Sequence, residues 1–213
     1  MGSHESRIAA VVLAAGLSRR MGRVKLLLPF GDKPLLARVI ESIVSAGGID
    51  PIVVVTGHAA GQIAPVLENY PVRPVHNAAY ASGGMLSSIQ TGLMALRSEP
   101  DAVLIVLGDQ PMVRPETISA MTSVWSRSRP LVVLPTHGGK HGHPILLSAA
   151  GFDEVLSLST DQSLKTYTNR HIEQTLDLEV DDPATLLDLD TPDDYAAALG
   201  RWQSSQTDVT VRS

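Results

Sequence analysis

An uninterrupted apolar run at residues 8–14, followed at once by a glycine-containing basic loop, constrains the fold more than any other feature of this sequence. Such a run is typical of a strand that is buried on both faces of a sheet. The loop at residues 15–25 contains two glycines, three arginines and a lysine. Backbone N–H groups and fixed positive charges in such a loop predict an anion-binding site. Because the formal net charge of the chain is −5, the cluster is not a by-product of a basic protein.

Apolar runs and segments with apolar residues at helical spacing alternate along the rest of the chain. The predicted strands are 52–55, 72–76, 102–107, 131–134, 145–147 and 186–190, with residues 172–178 alternating in polarity. The predicted helices are 33–44, 59–67, 85–96, 116–125 and one that begins at 192. An apolar stripe on the third of these helices is formed by Met85, Ile89, Leu93 and Leu96. The alternation predicts an α/β fold with a mostly parallel sheet, as one domain at residues 7–202 followed by a disordered polar tail at 203–213.

The composition limits the classes of protein to which the chain can belong. With 213 residues, 44% hydrophobic and 18% charged, it can bury a full core without covalent staples. The chain has no cysteine, which excludes disulfides and thiolate metal sites and is compatible with a cytoplasmic location, the one we expect. The N-terminus lacks the apolar segment of a signal peptide, and no apolar run approaches the ~20 residues of a membrane span. The negative charge and the 4% of aromatic residues argue against nucleic acid as a partner.

The predicted topology brings three loops to one edge of the sheet. In parallel α/β sheets, ligands bind beyond the carboxyl ends of the strands. The loops at 15–25, 77–88 and 108–112 each follow a predicted strand. We therefore expect these three loops to form the walls of one binding site.

The basic loop matches neither of the common phosphate-binding motifs. Its spacing of Gly16, Gly22 and Lys25 is not that of a Walker loop or of a dinucleotide fingerprint. A surface loop with solvated basic side chains is the alternative interpretation. The position directly after the first strand favours a triphosphate site, in which Arg19 and Lys25 would clamp phosphates. Backbone N–H groups around Ala15 would then meet a base or a phosphate.

Carboxylates occupy two places that suit a divalent cation. Asp109 closely follows the strand at 102–107, and Asp188 and Asp190 stand two residues apart, on one face if they lie on a strand. Magnesium usually takes one or two carboxylates together with substrate phosphate oxygens. The alternatives are a simple turn around Asp109 and capping of the last helix by the acidic residues near 190.

Two further loops are candidates for contact with substrates. In 77–88, a Gly83-Gly84 pair opens a helix that carries Ser87 and Ser88, and this small-residue wall would let the backbone approach a flat base. An ordinary glycine-rich helix entry is the alternative. The segment 137–144 contains histidines two residues apart without a third adjacent ligand, so a substrate-contacting loop is favoured over a zinc site.

Four separated motifs share their residues and their order with a known family. They are Leu13-Ala14-Ala15-Gly16-x-Ser18-x-Arg20-Met21-Gly22-x-x-Lys25, Gly108-Asp109-Gln110-Pro111, Gly142-His143-Pro144 and Asp188-x-Asp190-Thr191-Pro192-x-Asp194. Over roughly residues 8–200 the chain resembles the MobA-like nucleotidyltransferases. It is most similar to the molybdenum cofactor cytidylyltransferase branch, because Ala15 stands where the guanylyltransferase branch typically has glycine.

The resemblance implies a three-layer Rossmann-like fold of the GT-A nucleotidyltransferase type, with a mostly parallel mixed sheet. It implies transfer of CMP from CTP to the phosphate of molybdopterin or molybdenum cofactor, with release of pyrophosphate. The implied cofactor is Mg²⁺, or Mn²⁺ in its place, and the implied protein partner is a molybdoenzyme or its chaperone. The alternatives are guanylyl or other nucleotidyl transfer to a sugar phosphate, a methylerythritol phosphate or a phospholactate, and a non-catalytic protein that delivers the cofactor.

The resemblance also implies a role for each matching residue. The catalytic residues are Lys25, Arg19 and Asp109. The nucleotide-binding residues are Leu13, Ala14, Ala15, Gly16, Arg20, Lys25, Asn77, Gly83 and Ser88. The metal ligands are Asp109 and Asp190, with Asp188 assisting, and Gln110 and His143 lie on the side of the second substrate. Residues 160–165 depart from the family's Gly-Asp-x-Gly-Ala-Arg segment, so the pterin contacts are not predicted.

Overall fold

A mixed, mostly parallel sheet runs through the computed structural model, which describes residues 6–96 and 100–211. Its strands, with those of a small hairpin, are β1 (Ile8–Ala14), β2 (Pro29–Phe30), β3 (Lys33–Pro34), β4 (Ile49–Thr56), β5 (Val72–His76), β6 (Ala102–Leu107), β7 (Val132–His137), β8 (Lys140–His141), β9 (Ile145–Ser148) and β10 (Thr175–Glu179). The helices are α1 (Leu35–Ala46), α2 (Ala60–Leu67), α3 (Gly84–Leu96), α4 (Pro115–Ser128), α5 (Phe152–Ser157), α6 (Leu164–Arg170) and α7 (Pro192–Val211). The α/β fold class predicted from the sequence is confirmed.

The order of the strands places β1 in the middle of the sheet. Within the described residues the order is β10-β7-β9-β6-β1-β4-β5, with β8 paired to β7 and with β2 and β3 forming a separate hairpin. Along this order β9 alone runs antiparallel to its neighbours β6 and β7. Leu13 lies opposite Val55 on β4 and Leu107 on β6, so the carboxyl ends of these three strands are level. The loops that follow them therefore meet at one edge.

Two apolar cores lie on opposite faces of the sheet, because alternate side chains of β1 point in opposite directions. Ala10 and Val12 belong to the core beneath α1, α2, α4 and α7. Ala9 and Val11 belong to the core beneath α3, α5 and α6. Burying each valine or leucine of these cores contributes about 1.5–3 kcal/mol. The result is the three-layer arrangement that the resemblance implies.

Helix α3 lies unusually close to β1 because residue 92 has no side chain. A Cβ atom at Gly92 would overlap the side chain of Val11. The buried stripe of this helix consists of Leu86, Ile89, Leu93 and Leu96, while Met85 is 54% exposed. The prediction that Met85 belongs to the stripe is therefore wrong, since positions 85 and 86 both satisfy helical spacing relative to residue 89.

Helix α7 is anchored on the β2–β3 hairpin and on α1. The ring of Trp202 packs against Phe30 with centroids 5.6 Å apart, and the Arg38 guanidinium lies 4.9 Å from the Trp202 ring centroid. At its start, Thr191 Oγ1 accepts a hydrogen bond from the Asp194 N–H at 3.2 Å, and Asp194 Oδ2 accepts one from the Thr191 N–H at 2.8 Å. This reciprocal capping fixes the start of α7 two residues after Asp190.

The structure corrects three further predictions. Residues 187–190 are not a strand but a connection between a short 3-10 turn and α7, and their Leu-Asp alternation arises because Leu189 packs into the core while the aspartates face outward. Helix α7 continues to residue 211, so residues 203–211 of the tail predicted to be disordered are helical, and residues 212 and 213 lie outside the described residues. Pro34 lies in β3, and α1 begins one residue later.

Among the described residues, no helix is both long and apolar enough to cross a membrane.

Candidate active site

The basic loop after β1 folds back on itself and brings Lys25 to the end of the strand. Ser18 has φ +48° and Gly22 has φ +64°, and a single 3-10 turn lies between them. The Lys25 N–H donates a hydrogen bond to Ser18 Oγ at 3.2 Å. A non-glycine residue in the left-handed region is uncommon, and here it closes the turn. The loop therefore presents its basic side chains to the carboxyl edge of the sheet.

Four charged side chains of alternating sign form a chain across this edge. Lys25 Nζ donates to Asp109 Oδ2 at 2.5 Å and lies 3.5 Å from Asp190 Oδ1. The Arg20 guanidinium donates to Asp190 Oδ2 at 2.8 Å. The side chains of Lys25 and Asp109 are 12% and 20% exposed, whereas that of Arg20 is 67% exposed. The Lys25–Asp109 pair is thus shielded from solvent, whereas the attraction between Arg20 and Asp190 is screened by it.

Asp188 is held beside these four charged side chains by the buried amide of Gln110. Gln110 Nε2 donates to Asp188 Oδ1 at 3.2 Å and to the Thr185 carbonyl at 3.4 Å. Within the described residues, Gln110 Oε1 is buried without a hydrogen-bond partner. Burial raises the pKa of Asp188 above its ordinary value, and the negative charge of Asp109 raises it further. A carboxylate in this position gains from the approach of a cation.

His143 lines the same cleft and is fixed by its backbone. The backbone N–H of His143 donates to the Thr185 carbonyl at 2.9 Å, and a Cβ at Gly142 would overlap that same carbonyl group. Burial lowers the pKa of His143, although the charges of Asp188 and Asp109 act in the opposite direction. The lowered pKa favours the neutral form of the imidazole over a fixed positive charge.

A buried relay of polar groups fixes how Ser88 faces the cleft. Asn77 Oδ1 accepts from the Ala79 N–H at 2.9 Å, which fixes the orientation of the amide. Asn77 Nδ2 then donates to Ser87 Oγ at 2.9 Å and to Ser88 Oγ at 3.0 Å. Ser87 donates its own proton to the Gly84 carbonyl. Because the Ser88 oxygen already accepts, its hydroxyl proton is available to a ligand in the cleft.

These residues surround one cleft with a volume of about 660 Å³. The sequence-predicted residues that line it are Leu13, Ala15, Gly16, Arg19, Arg20, Lys25, Ser88, Asp109, His143, Asp188 and Asp190. Four others lie behind the lining, namely Ala14, Asn77, Gly83 and Gln110. In this structure Ala14 packs in the core, and Asn77 and Gln110 act through Ser88 and Asp188 respectively.

The sequence interpretation missed two apolar walls of the cleft. Tyr80 lines it, with its ring centroid 6.1 Å from that of His58 and 6.0 Å from that of His76. Met85 lines it from the first turn of α3. A signal for Tyr80 was available, because it is an aromatic residue within the glycine-rich segment 77–88. No comparable signal existed for Met85.

The carboxylates fit a divalent cation that completes its shell with substrate oxygens. Among residues 6–96 and 100–211, no group of three or more His, Asp or Glu side chains forms a complete protein cage for a metal. Asp109 and Asp190 nevertheless converge on one cation, the ammonium group of Lys25. Two converging carboxylates, with Asp188 beside them, are the donor set that magnesium or manganese uses together with phosphates.

A basic loop after the central strand and carboxylates at the same edge of a Rossmann-like sheet define a protein that handles a nucleoside triphosphate and a cation. Residues 10–175 match the family model described as the MobA-like NTP transferase domain, and the chain belongs to this nucleotidyltransferase family.

Comparison with individual proteins agrees with this family. The chain is 29% identical over 200 residues to the molybdenum cofactor cytidylyltransferase of Escherichia coli, covering 92% of this chain and 98% of that protein. It is 33% identical over 118 residues to a "Probable molybdenum cofactor guanylyltransferase" of Methanosarcina mazei, covering 53% of this chain and 51% of that one. The crystal structure of Rv0371c from Mycobacterium tuberculosis H37Rv is similar with a TM-score of 0.78 and 29% identity, covering 92% of this chain and 98% of that one. A complex of Rv0371c with manganese is similar with a TM-score of 0.75 and 28% identity, over 92% and 99% of the two chains.

Proposed function

We propose that this nucleotidyltransferase transfers CMP from CTP to the terminal phosphate of molybdopterin or molybdenum cofactor and releases pyrophosphate. The observation that carries the proposal is the series of ion pairs of alternating sign at the cleft, which is formed by Asp109, Lys25, Asp190 and Arg20. Such an arrangement offers cations to phosphates and carboxylates to a metal at the same place. Similarity to the E. coli cytidylyltransferase over nearly the full length of both chains supports the choice of substrates.

The reaction needs no covalent intermediate on the protein. An oxygen of the acceptor phosphate attacks the α-phosphorus of CTP, and the bond from that phosphorus to the oxygen bridging to the β-phosphate breaks. Pyrophosphate leaves with the electron pair of that bond. Lys25, Arg19 and Arg20 stabilise the negative charge on the leaving group, and the remaining catalytic contribution is positioning in the cleft.

Asp109 and Asp190, assisted by Asp188, are the residues that would hold the divalent cation. When bound, the cation supplies neutralisation of phosphate charge. The buried amide of Gln110 keeps one oxygen of Asp188 occupied and so limits how its carboxylate can turn. This chain's own residues thus orient both the phosphates and the carboxylates before the reaction.

Ala15 supports cytosine as the base, because it stands where the guanylyltransferase branch typically has glycine. A Cβ at Gly57 would lie 2.7 Å from the Ala15 carbonyl oxygen and 2.7 Å from Tyr80 Cβ, so these groups lie close together. Ala15 and Tyr80 both line the cleft, so a bound base would lie beside them. The carbonyl oxygen of cytosine would then accept a hydrogen bond from the Ser88 hydroxyl group.

A second candidate is guanylyl transfer, which the name of the M. mazei relative favours. The two candidates share the phosphate and metal chemistry and differ at the base. The identity of the nucleotide therefore has to be tested together with that of the acceptor.

The test is an assay of pyrophosphate release by the full chain with CTP, GTP, ATP or UTP, in Mg²⁺ or Mn²⁺. Acceptors are molybdopterin and molybdenum cofactor, with a sugar phosphate, methylerythritol phosphate and phospholactate as controls. We expect release with CTP and a pterin acceptor, and a cytidylylated pterin by mass spectrometry. Release with GTP alone would establish guanylyl transfer instead. Binding of CTP without turnover on any acceptor would contradict catalysis and favour a protein that delivers the cofactor to a molybdoenzyme or its chaperone.

A further inference from the structure

We propose that Lys25 is an internal counter-cation of the metal site. In the nucleotide-free protein it holds the carboxylates of Asp109 and Asp190, and it has to leave them before a divalent cation binds. Metal loading then depends on the arrival of a polyphosphate that draws Lys25 away. The inference rests on the proposed function only in assigning a metal and a polyphosphate to this cleft.

The ammonium group of Lys25 occupies the space between two carboxylates that come from distant parts of the chain. Asp109 follows β6, and Asp190 precedes α7. The lysine nitrogen lies 2.5 Å from an oxygen of the first and 3.5 Å from an oxygen of the second. With 12% of its side chain exposed, Lys25 is the most shielded member of this group.

The Lys25 ammonium and a divalent cation compete for the two carboxylates. Both cations are attracted to the carboxylate oxygens, and positive charges a few ångströms apart repel strongly where solvent is excluded. Free metal must therefore displace Lys25 and bear the cost of leaving that ammonium without its partners. A polyphosphate removes this cost, because its oxygens offer Lys25 new partners within reach of its flexible stem.

Arg20 does not fill the same role. It pairs with the outer oxygen of Asp190, and its side chain is 67% exposed. An ion pair as open as this one is screened by salt and interacts weakly. The competition with metal should therefore depend on the charge at residue 25 and not on the arginine beside it.

The test measures binding of Mn²⁺ alone, by the electron paramagnetic resonance signal of the free ion, to wild type, Lys25→Met and Lys25→Arg. Methionine removes the charge at similar length, and arginine keeps it. We expect Lys25→Met to bind Mn²⁺ at least about tenfold more tightly than wild type, because the competing cation is gone. Lys25→Arg should bind as weakly as wild type.

Lys33 provides a matched control, since its ammonium pairs with a carboxylate, Glu41, at the same 2.5 Å distance in a different part of the fold. Lys33→Met should leave Mn²⁺ affinity unchanged. Equal or weaker Mn²⁺ binding by Lys25→Met would overturn the proposal, and so would a gain of similar size in Lys33→Met. Loss of nucleotidyl transfer with every acceptor would refute the proposed function without altering these affinities.

A measurement on wild type keeps the proposal testable if Lys25→Met does not fold. The melting temperature is compared with no addition, with Mn²⁺, with inorganic tripolyphosphate and with both. We expect no increase with Mn²⁺ alone and an increase with both that exceeds the sum of the separate effects. An increase with Mn²⁺ alone as large as that with both would show that Lys25 does not control access to the carboxylates.

Discussion

Most charged side chains of the cleft have a partner before any ligand arrives. Lys25 lies between Asp109 and Asp190, and Gln110 holds Asp188. Pairing of this kind orients the side chains at the cleft before the reaction. Because removal of one partner leaves the other charge unpaired in a partly shielded place, single substitutions here are expected to lower stability as well as activity.

Replacing Asp109 with asparagine should test its catalytic role while preserving its shape. We expect kcat/KM for nucleotidyl transfer to fall by at least about 100-fold, because a ligand for the cation is lost. Asp101→Asn is a matched control at the opposite end of the same strand, where the Asp101 carboxylate accepts the Arg7 N–H. Steady-state kinetics and circular dichroism of both variants are the measurements. Near-normal turnover of a folded Asp109→Asn protein would remove this residue from the site.

His143 should make the stability of the metal-free protein depend on pH. Burial lowers the pKa of the folded imidazole below its ordinary value of 6.5, while Asp188 and Asp109 partly oppose this. The unfolded chain therefore takes up a proton first as the pH falls, so the free energy of unfolding decreases from pH 6.5 downward until the folded imidazole also titrates. His143→Asn should flatten this part of the profile in urea titrations with a chelator present. Identical slopes for variant and wild type would contradict the assignment.

At the scale of elements, the sequence predicted strands β1 and β6 closely, because long apolar runs buried on both faces leave little ambiguity. It could not predict that β9 runs antiparallel between β6 and β7, since orientation depends on contacts between distant segments. The segment 187–190 imitated a strand because alternate residues faced the core and the cleft. Asp188 and Asp190 nevertheless line the same cleft as Asp109, since their approach to it depends on topology rather than on strand geometry.

The close contact between α3 and β1 should be sensitive to one methyl group. Gly92→Ala places a Cβ against Val11, and overpacking of this kind costs about 1–3 kcal/mol. Gly200→Ala is the matched control, because no atom lies within 4 Å of an added Cβ there and alanine favours a helix interior. We expect the free energy of unfolding, measured with urea, to fall in the first variant and to rise by up to about 1 kcal/mol in the second. Equal stability of Gly92→Ala and wild type would contradict this packing.

At the scale of the whole molecule, the site exists because three parallel strands end at the same level of one sheet. The basic loop, the loop after β6 and the segment before α7 are far apart in sequence and meet only at this edge. The rule that ligands bind beyond the carboxyl ends of parallel strands predicted that the loops at 15–25, 77–88 and 108–112 meet, but it did not predict that the segment before α7 joins them. The buried amides of Asn77 and Gln110 were not predicted as supports, because their partners are visible only in three dimensions.

A bound nucleotide should stabilise the whole fold by mass action. At about 100 times its Kd a ligand adds about 2.7 kcal/mol, which corresponds to an increase in Tm of about 5–10 °C for a chain of this size. We expect this increase with CTP and Mg²⁺ and a smaller one with GTP, ATP or UTP at the same concentration, measured by thermal denaturation. A larger effect of GTP would contradict the proposal that CTP is the nucleotide.

The most direct measurement is a crystal structure of the chain with CTP and Mn²⁺, with the metal located by anomalous diffraction. We expect an anomalous peak on Asp109 and Asp190, the triphosphate along the basic loop, and the Lys25 ammonium moved from both carboxylates to a phosphate. A metal bound away from these aspartates, or a nucleotide outside the cleft, would contradict the proposed site.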